Sequence, residues 1–273
     1  MPIQNSISNA IKGDAPLGGV TPPFNQYSFE FDGSIDFISV ADNSNLSFGN
    51  GTSDSPFSIS CWAKVTQLST GHSLFRKRGD STALYNWEYD MFISSTGIIY
   101  FRLFDVGSVI RVGRITNSGL INTNTWYNIV ATYDGRGGST AYDGMKIYLN
   151  GVRVDNANTS NNTYTAMHNL SAPVSIGKFT TGNIDEVAVW DSALTDGGVS
   201  VGQPAGEQIA EIYNGGVPND LSSLSPISWW RMGDAATWTG RNWDLIDQGS
   251  GSNNGFSDTI PGPPSAPSTD IPT

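Results

Sequence analysis

The chain has 273 residues, with 14 Lys and Arg against 25 Asp and Glu, a formal net charge of −11 and only 14 % charged residues. Recognition of phosphate needs clustered Lys and Arg, so this balance argues against nucleic acid and against adsorption to anionic membranes. A charged fraction well under the roughly 25 % of an average soluble domain leaves the surface to Ser, Thr, Asn, Gln and Gly. The lone Cys61 cannot form an internal disulfide. No apolar run approaches the roughly 20 residues of a membrane span. The opening MPIQNSISNAIKGDAPLGG lacks the charged start and apolar centre of a signal peptide, which predicts that any route out of a cell is a different one.

Residues 1–26 show neither period 2 nor period 3.6 and are expected to form an extended arm, with Ile3, Ile7 and Ile11 either as anchors on a neighbouring subunit or as a cover for the protein's own sandwich. From Tyr27 the alternation is plain. Tyr27, Phe29 and Phe31 share one face, and Phe57, Ile59, Cys61, Ala63 and Val65 share another. YDMFIS and IIYFRLF, split by Ser95-Thr96-Gly97, predict a hairpin. VIRVGRI, WYNIVATYDG and MKIYLNGVRV follow, and Asn150-Gly151 in the last predicts a type I′ turn. APVSIG and NIDEVAVW add two strands. GEQIAEIYNGG predicts a short rim helix with Ile209, Ile212 and Tyr213 on one face, stopped by Gly215-Gly216. ISWWRMGD is a last strand before the loop DQGSGSNNG, and 259–273 is a Pro-rich tail. About ten short strands with Gly-rich turns predict an all-β, two-sheet antiparallel jelly-roll sandwich over 27–258. Its core should include Phe57, Ile59, Cys61, Val130, Ile147, Leu149, Val187 and Val189.

Six segments in order resemble the laminin-G-like, concanavalin A-like jelly-roll family: FEFDGSIDFISV, FSISCWAKV, WYNIVATYDG, IYLNGVRV, VSIGKF and IDEVAVWDSALT with the helix ending EIYNGG. In many relatives a strand like SWWRMGD opens the domain, whereas here it closes it, so either the strand order is permuted or this strand fills the slot left at the start; in both cases it is expected to pair inside the same sandwich. Chains with this ending resemble predicted proteins of marine bacteriophages.

Catalysis finds little footing. Glucanases of this fold need carboxylates on alternate residues of one strand. Asp185 and Glu186 are adjacent, so regular pleating sends them to opposite faces. His72 and His168 are expected at the surface, and Arg76-Lys77-Arg78 in a solvated turn. Asp185 is expected to point inward with Val187 and Val189, needing N–H donors or a cation. The resemblance implies a structural Ca²⁺ held by rim loops, with Asp32, Asp185 and Asp247 as candidate ligands. Trp62, on the polar side of its strand, and Trp87, in a loop-like stretch, are candidate sugar-stacking residues.

The expected function is therefore non-enzymatic. The reading carried forward is a phage virion surface component, a capsid decoration or tail-associated protein, that contacts neighbouring virion proteins or itself through the arm. The alternative is an extracellular lectin-like module that binds glycans, including those of a host surface.

Overall fold

The structure, a computed structural model, describes residues 24–79, 86–105, 111–160 and 163–273. In chain order the strands are β1 (Phe29–Asp32), β2 (Ile38–Val40), β3 (Phe57–Val65), β4 (His72–Arg78), β5 (Trp87–Ile93), β6 (Ile99–Phe104), β7 (Arg111–Thr116), β8 (Tyr127–Tyr133) and β9 (Met145–Leu149). There follow β10 (Val152–Arg153), β11 (Asp155–Ser160), β12 (Val174–Ile176), β13 (Thr181–Trp190), β14 (Ser228–Trp230), β15 (Ala236–Trp238), β16 (Trp243–Leu245) and β17 (Gly255–Ser257). The single α-helix among the described residues, α1, spans Glu207–Tyr213. It is far too short to cross a membrane.

Two antiparallel sheets stack face to face. One runs β1-β13-β3-β8-β9-β10, with β14 also paired to β13; the other runs β11-β7-β6-β5-β4-β12-β2-β17-β16-β15. The alternating side chains of both sheets meet in one core. Phe57, Ile59, Cys61, Ile147, Leu149, Val187 and Val189 from the first sheet pack there against Phe75, Tyr89, Met91, Phe101 and Leu103 from the second. Val130 is buried too, but on the opposite face of its sheet: Ile129 and Ala131 take the core side, and Val130 joins Trp190, Ile209, Ile212 and Trp229. The helix therefore covers the outer face of the seven-stranded sheet rather than the rim. Tyr213 at its end stacks on Trp62 with ring centroids 6.1 Å apart.

The two turn expectations hold. Asn150 and Gly151 have φ of 49° and 72°, the paired positive values of a type I′ turn, and join β9 to β10. Gly97 at φ 71° closes the β5–β6 hairpin, in which Ile93 faces Ile99. Tyr27 departs from its expected place with Phe29 and Phe31: it is 37 % exposed and both phenylalanines are buried.

The C-terminal region completes both sheets. β14 pairs with Val187–Val189 of β13, while β1 pairs with Thr181–Ile184 of that same edge, so the two short strands lie end to end beside one long one. β17 pairs with β2 and extends the other sheet through β16 and β15. Trp230 is fully buried, donates from Nε1 to the Asn253 carbonyl at 2.7 Å and packs on Phe75 across the sandwich. Beyond β17 the chain returns to the sheet edge, where Ser28 and Ser268 exchange backbone hydrogen bonds of 2.9 Å. The arm expected over 1–26, with Ile3, Ile7 and Ile11, lies outside the described residues except for Phe24, Asn25 and Gln26.

A chain ending at Asp220 should lose cooperative thermal unfolding, and Trp230→Ala in the full chain should cost about 3–5 kcal/mol. Denaturant melts of both check this, and an unchanged transition in the truncated chain contradicts the pairing described.

Candidate functional site

Strands β4, β5 and β6 alternate apolar residues inward with charged and aromatic residues outward. In register, Arg76 lies opposite Asp90, Asp90 opposite Arg102, and Phe92 opposite Tyr100, so one patch of the outer sheet face gathers them. A cleft of about 210 Å³ opens there, lined by His72, Arg76, Arg78, Asp90, Phe92, Arg102 and Phe179 among others. Asp90 organises it. Its carboxylate accepts Arg102 Nε at 2.8 Å and Nη2 at 2.6 Å, and Arg78 Nη1 at 3.1 Å. Each guanidinium also rests on a ring: Arg102 lies 4.2 Å from the Phe92 centroid, Arg78 3.5 Å from Trp87, and Arg76 5.4 Å from Phe179. Such contacts are worth about 0.5–1 kcal/mol each where exposed, and they fix the planar cations in orientation. Phe179 is 47 % exposed and has φ 62°, a left-handed value that an aromatic residue adopts only under constraint. The constraint is the Gly177–Thr180 turn, closed by a 2.9 Å backbone hydrogen bond.

These placements correct several sequence expectations. Arg76-Lys77-Arg78 is strand, not solvated turn, because Lys77 faces inward and is fully buried with partners ready: Glu88 Oε1 at 2.9 Å, Asp42 Oδ1 at 2.5 Å and two backbone carbonyls. His72 is also buried. Its Nε2 lies 2.7 Å from the Gln67 carbonyl and Nδ1 accepts the Thr181 N–H at 3.2 Å, so the neutral ring fits the site, and burial lowers its pKa. His168 is half-exposed and lies 3.1 Å from Asp105.

Trp62 is not an exposed stacking surface. It is 4 % exposed beneath Tyr213, because the polar-side face of β3 is roofed by the helix. Trp87 begins β5 rather than sitting in a loop. It is half-buried between Arg78 and Phe104, the latter at 5.2 Å and 86°.

The three carboxylates expected to share Ca²⁺ lie in three separate networks. Asp32 Oδ1 accepts the N–H groups of Ser34, Ile35 and Asp36 in its own turn, and these bonds outweigh partial desolvation to lower its pKa. It borders a second cleft of about 200 Å³ with Glu30 and Asp36. Burial, with Asp32 and Glu30 nearby, pushes the Asp36 carboxyl up to about 6. Asp247 accepts the N–H groups of Trp229, Gly249 and Asn253 at 2.7–2.8 Å and so shapes the DQGSGSNNG loop. Among the described residues, no group of three or more His, Cys, Asp or Glu is placed to hold a metal ion.

Asp185 does not point inward with Val187. The pairing of β13 with β3 shifts between Asp185 and Ala188, and Glu186 has φ 45°, so β13 carries a bulge. The extra residue lets Ile184 and Val187 both face the core, and it leaves Asp185 and Glu186 together on the other side. The adjacent-residue rule that separated them does not apply at a bulge. They occupy the gap between β1 and β14. Asp185 is fully buried and accepts Asn25 Nδ2 at 2.8 Å; Glu186 accepts Trp229 Nε1 at 2.6 Å and Arg231 Nε at 3.1 Å. Desolvation, and then the Glu186 charge, raise Asp185 well above the carboxylate range. Desolvation raises Glu186 to about 7 despite Arg231. The pair therefore favours a shared proton over two adjacent charges beside one guanidinium.

Comparison with known proteins fits this architecture. Residues 32–200 match the family described as the concanavalin A-like lectin/glucanases superfamily, and the chain belongs to it. A search of curated proteins finds no match. Among solved structures, a candidate carbohydrate-binding protein of Bacteroides ovatus ATCC 8483 is 16 % identical with a TM-score of 0.54, over 87 % of this chain. The chain spans 59 % of that protein's length. The CBM40 of Ruminococcus gnavus IT-sialidase bound to alpha2,3 sialyllactose is 12 % identical with a TM-score of 0.45, over 63 % of this chain and 92 % of its own. Domains LG4-5 of the mouse laminin alpha1 chain are 11 % identical with a TM-score of 0.40, over 67 % and 47 %. At such identities the likeness is one of fold.

The Asp185–Glu186 pair has a pH consequence. A carboxyl whose folded pKa is raised binds its proton more tightly in the folded state, so its contribution to stability falls as pH rises from about 4.5 towards about 7. Glu186→Gln should therefore show a flatter Tm profile over that window than the natural chain. His72 and Asp36 titrate in both proteins and cancel in the comparison. Parallel profiles contradict the account.

Proposed function

We propose that this protein is a non-catalytic, lectin-like module that binds saccharide on the outer face of its ten-stranded sheet. The observation that carries the reading is the cleft itself: ring faces and planar donors fixed by Asp90 and by strand register, with Phe179 exposed and Arg78 and Arg102 partly so. Sugars are recognised by that pairing of apolar ring contact with oriented hydrogen bonds. The superfamily contains both lectins and glucanases, and the Bacteroides ovatus protein of similar fold is described as a candidate for carbohydrate binding. A hydrolase needs two facing carboxyl groups, one of them free to give up a proton. Among the described residues lining the cleft, Asp90 is the sole carboxylate, and it is held by two arginines. In the second cleft Asp32 is committed to three backbone N–H groups.

Within this reading, the narrower role of a phage virion surface component rests on likeness of sequence alone, with residues 1–26 joining it to neighbouring virion proteins or to a second copy. We also propose structural Ca²⁺ at Asp32, Asp185 or Asp247, and a melt with and without chelator tests it.

A glycan array probed with the full chain should return binders, and Phe179→Ala should weaken them at least fivefold. Its Tm should stay within about 2 °C, since the ring is half out of the fold. Reducing ends should not accumulate on incubation with the bound glycan. Release that disappears in Asp36→Asn would instead establish a glucanase.

A further inference from the structure

We infer that His72 positions the Phe179 ring at the cleft while its imidazole is neutral, and that protonation of the imidazole opens the Phe179 turn and releases the saccharide. This rests on the saccharide-binding reading above and names the regulation of that site.

His72 lines the cleft but is fully buried, and what it holds is the turn. Its partners fix the tautomer, because a carbonyl can only accept a hydrogen bond and an amide N–H can only donate one. Nε2 therefore carries the hydrogen and donates it to the Gln67 carbonyl at 2.7 Å, while bare Nδ1 accepts the Thr181 N–H at 3.2 Å. Thr181 directly follows the Gly177–Thr180 turn that displays Phe179. The rest of the turn leans on the same strand: the Gly177 N–H donates to the Leu74 carbonyl at 3.1 Å, and Thr180 Oγ1 donates to the Ser73 carbonyl at 3.2 Å. From beneath, Gly177 lies against the Phe31 ring so closely that a Cβ there would stand 2.3 Å from it. The turn cannot sink, so its free direction is outward.

Of the three ties to β4, only the one at His72 depends on a proton. The charged imidazole carries a hydrogen on both nitrogens, so Nδ1–H would face the Thr181 N–H, donor against donor. That tie then breaks at the end of the turn nearest Phe179, whose φ of 62° persists only under constraint. The 66–71 loop that receives Nε2 carries no charge. The charged groups on the other neighbouring elements are Arg76 and Arg78 on the same strand, Asp90 on β5, Arg102 on β6, Lys178 in the turn and Asp32 on β1, opposite Thr181. Both ring nitrogens are taken by Gln67 and Thr181, so none of these groups bonds the ring directly. Burial lowers the pKa of His72 against the pull of the Gln67 carbonyl, which places the change on the acid side of the ordinary histidine value. A saccharide that needs Phe179 in place selects the neutral ring. Its affinity is then level where the ring is neutral and falls as pH drops through the ring's pKa.

Two measurements on the full chain test this. An NMR titration from pH 7.5 to pH 4.5 should show the Thr181 amide and the Phe179 ring moving with the same midpoint as the His72 ring nitrogens. His72→Gln, whose amide can donate to Gln67 and accept from Thr181 without titrating, should leave both signals in place. Calorimetric titration with lactose, cellotriose and laminaritriose supplies the second readout. Any of these that binds at pH 7.5 should bind the natural chain at least fivefold weaker at pH 4.5, and His72→Gln equally at both. Asp36 and Glu186, with pKa values raised to about 6 and about 7, titrate in both chains, so an equal loss in His72→Gln assigns the effect to them and overturns the inference. Thr181 and Phe179 signals that do not follow His72 overturn it too, and they decide the matter if His72→Gln does not fold. Affinity that is level with pH in the natural chain overturns it and leaves the saccharide reading standing. If none of the three sugars binds, the result counts against the saccharide reading, and the NMR titration alone decides whether His72 positions the turn.

Discussion

The backbone of Glu186, held at φ 45° in the middle of β13, sets the two halves of the longest strand out of step. Before it, β13 lies beside β1; after it, beside β14. The bulge lets one strand serve two short partners, keeps Ile184, Val187 and Val189 in the core, and turns two carboxylates onto the other face. Those carboxylates then organise the gap: Asn25 reaches in from the segment before β1, and Trp229 and Arg231 from β14 and beyond. Phe24 stacks on Trp229 and its carbonyl accepts from Arg231, so the start of the domain and its last third are joined at this point. Without the extra residue, the apolar alternation of β13 would reverse halfway along.

Charge is scarce in this chain, and much of it is spent inside. Lys77 meets Glu88 and Asp42 at one edge of the core. Arg114 and Arg153 both bind Asp155, a buried carboxylate that they hold below its usual pKa against desolvation. Buried pairs of this kind contribute little net stability, but breaking one leaves an uncompensated charge costing about 3–5 kcal/mol. They act as register pins. The cleft uses the same device with a different outcome: Asp90 pins two arginines on an outer face, where their remaining surface meets solvent.

The sandwich was legible in the sequence because period-two alternation and the Asn150-Gly151 turn are local signals, and both survive into the fold. The seven-stranded sheet's outer face was not. In FSISCWAKV and WYNIVATYDG, Trp62 and Val130 alternate in phase with polar residues, Ser58 and Ser60 in one and Asn128 and Thr132 in the other, yet both are covered by α1 and the segments around it. Nothing local announces that a sheet has a second buried side. Asp185 and Glu186 failed for a sharper reason, since a bulge cancels alternation and no glycine marks this one. The cleft was missed because Arg76-Lys77-Arg78 reads as a polar cluster, and its meaning depends on Asp90 and Arg102 arriving from neighbouring strands. Strong outward polarity within an apolar-alternating stretch, HSLFRKR followed by WEYDMFI, was the available signal.

The central claim is that ligand binds on the face formed by β4, β5 and β6. Its most direct test follows the arginine Nε–H resonances of the full chain by NMR while saccharide is added. The account predicts that the signals of Arg76, Arg78 and Arg102 move together, and that those of Arg136 and Arg231 do not. Changes confined to Arg231, or to residues around Asp32 and Asp36, would place the site elsewhere and contradict it.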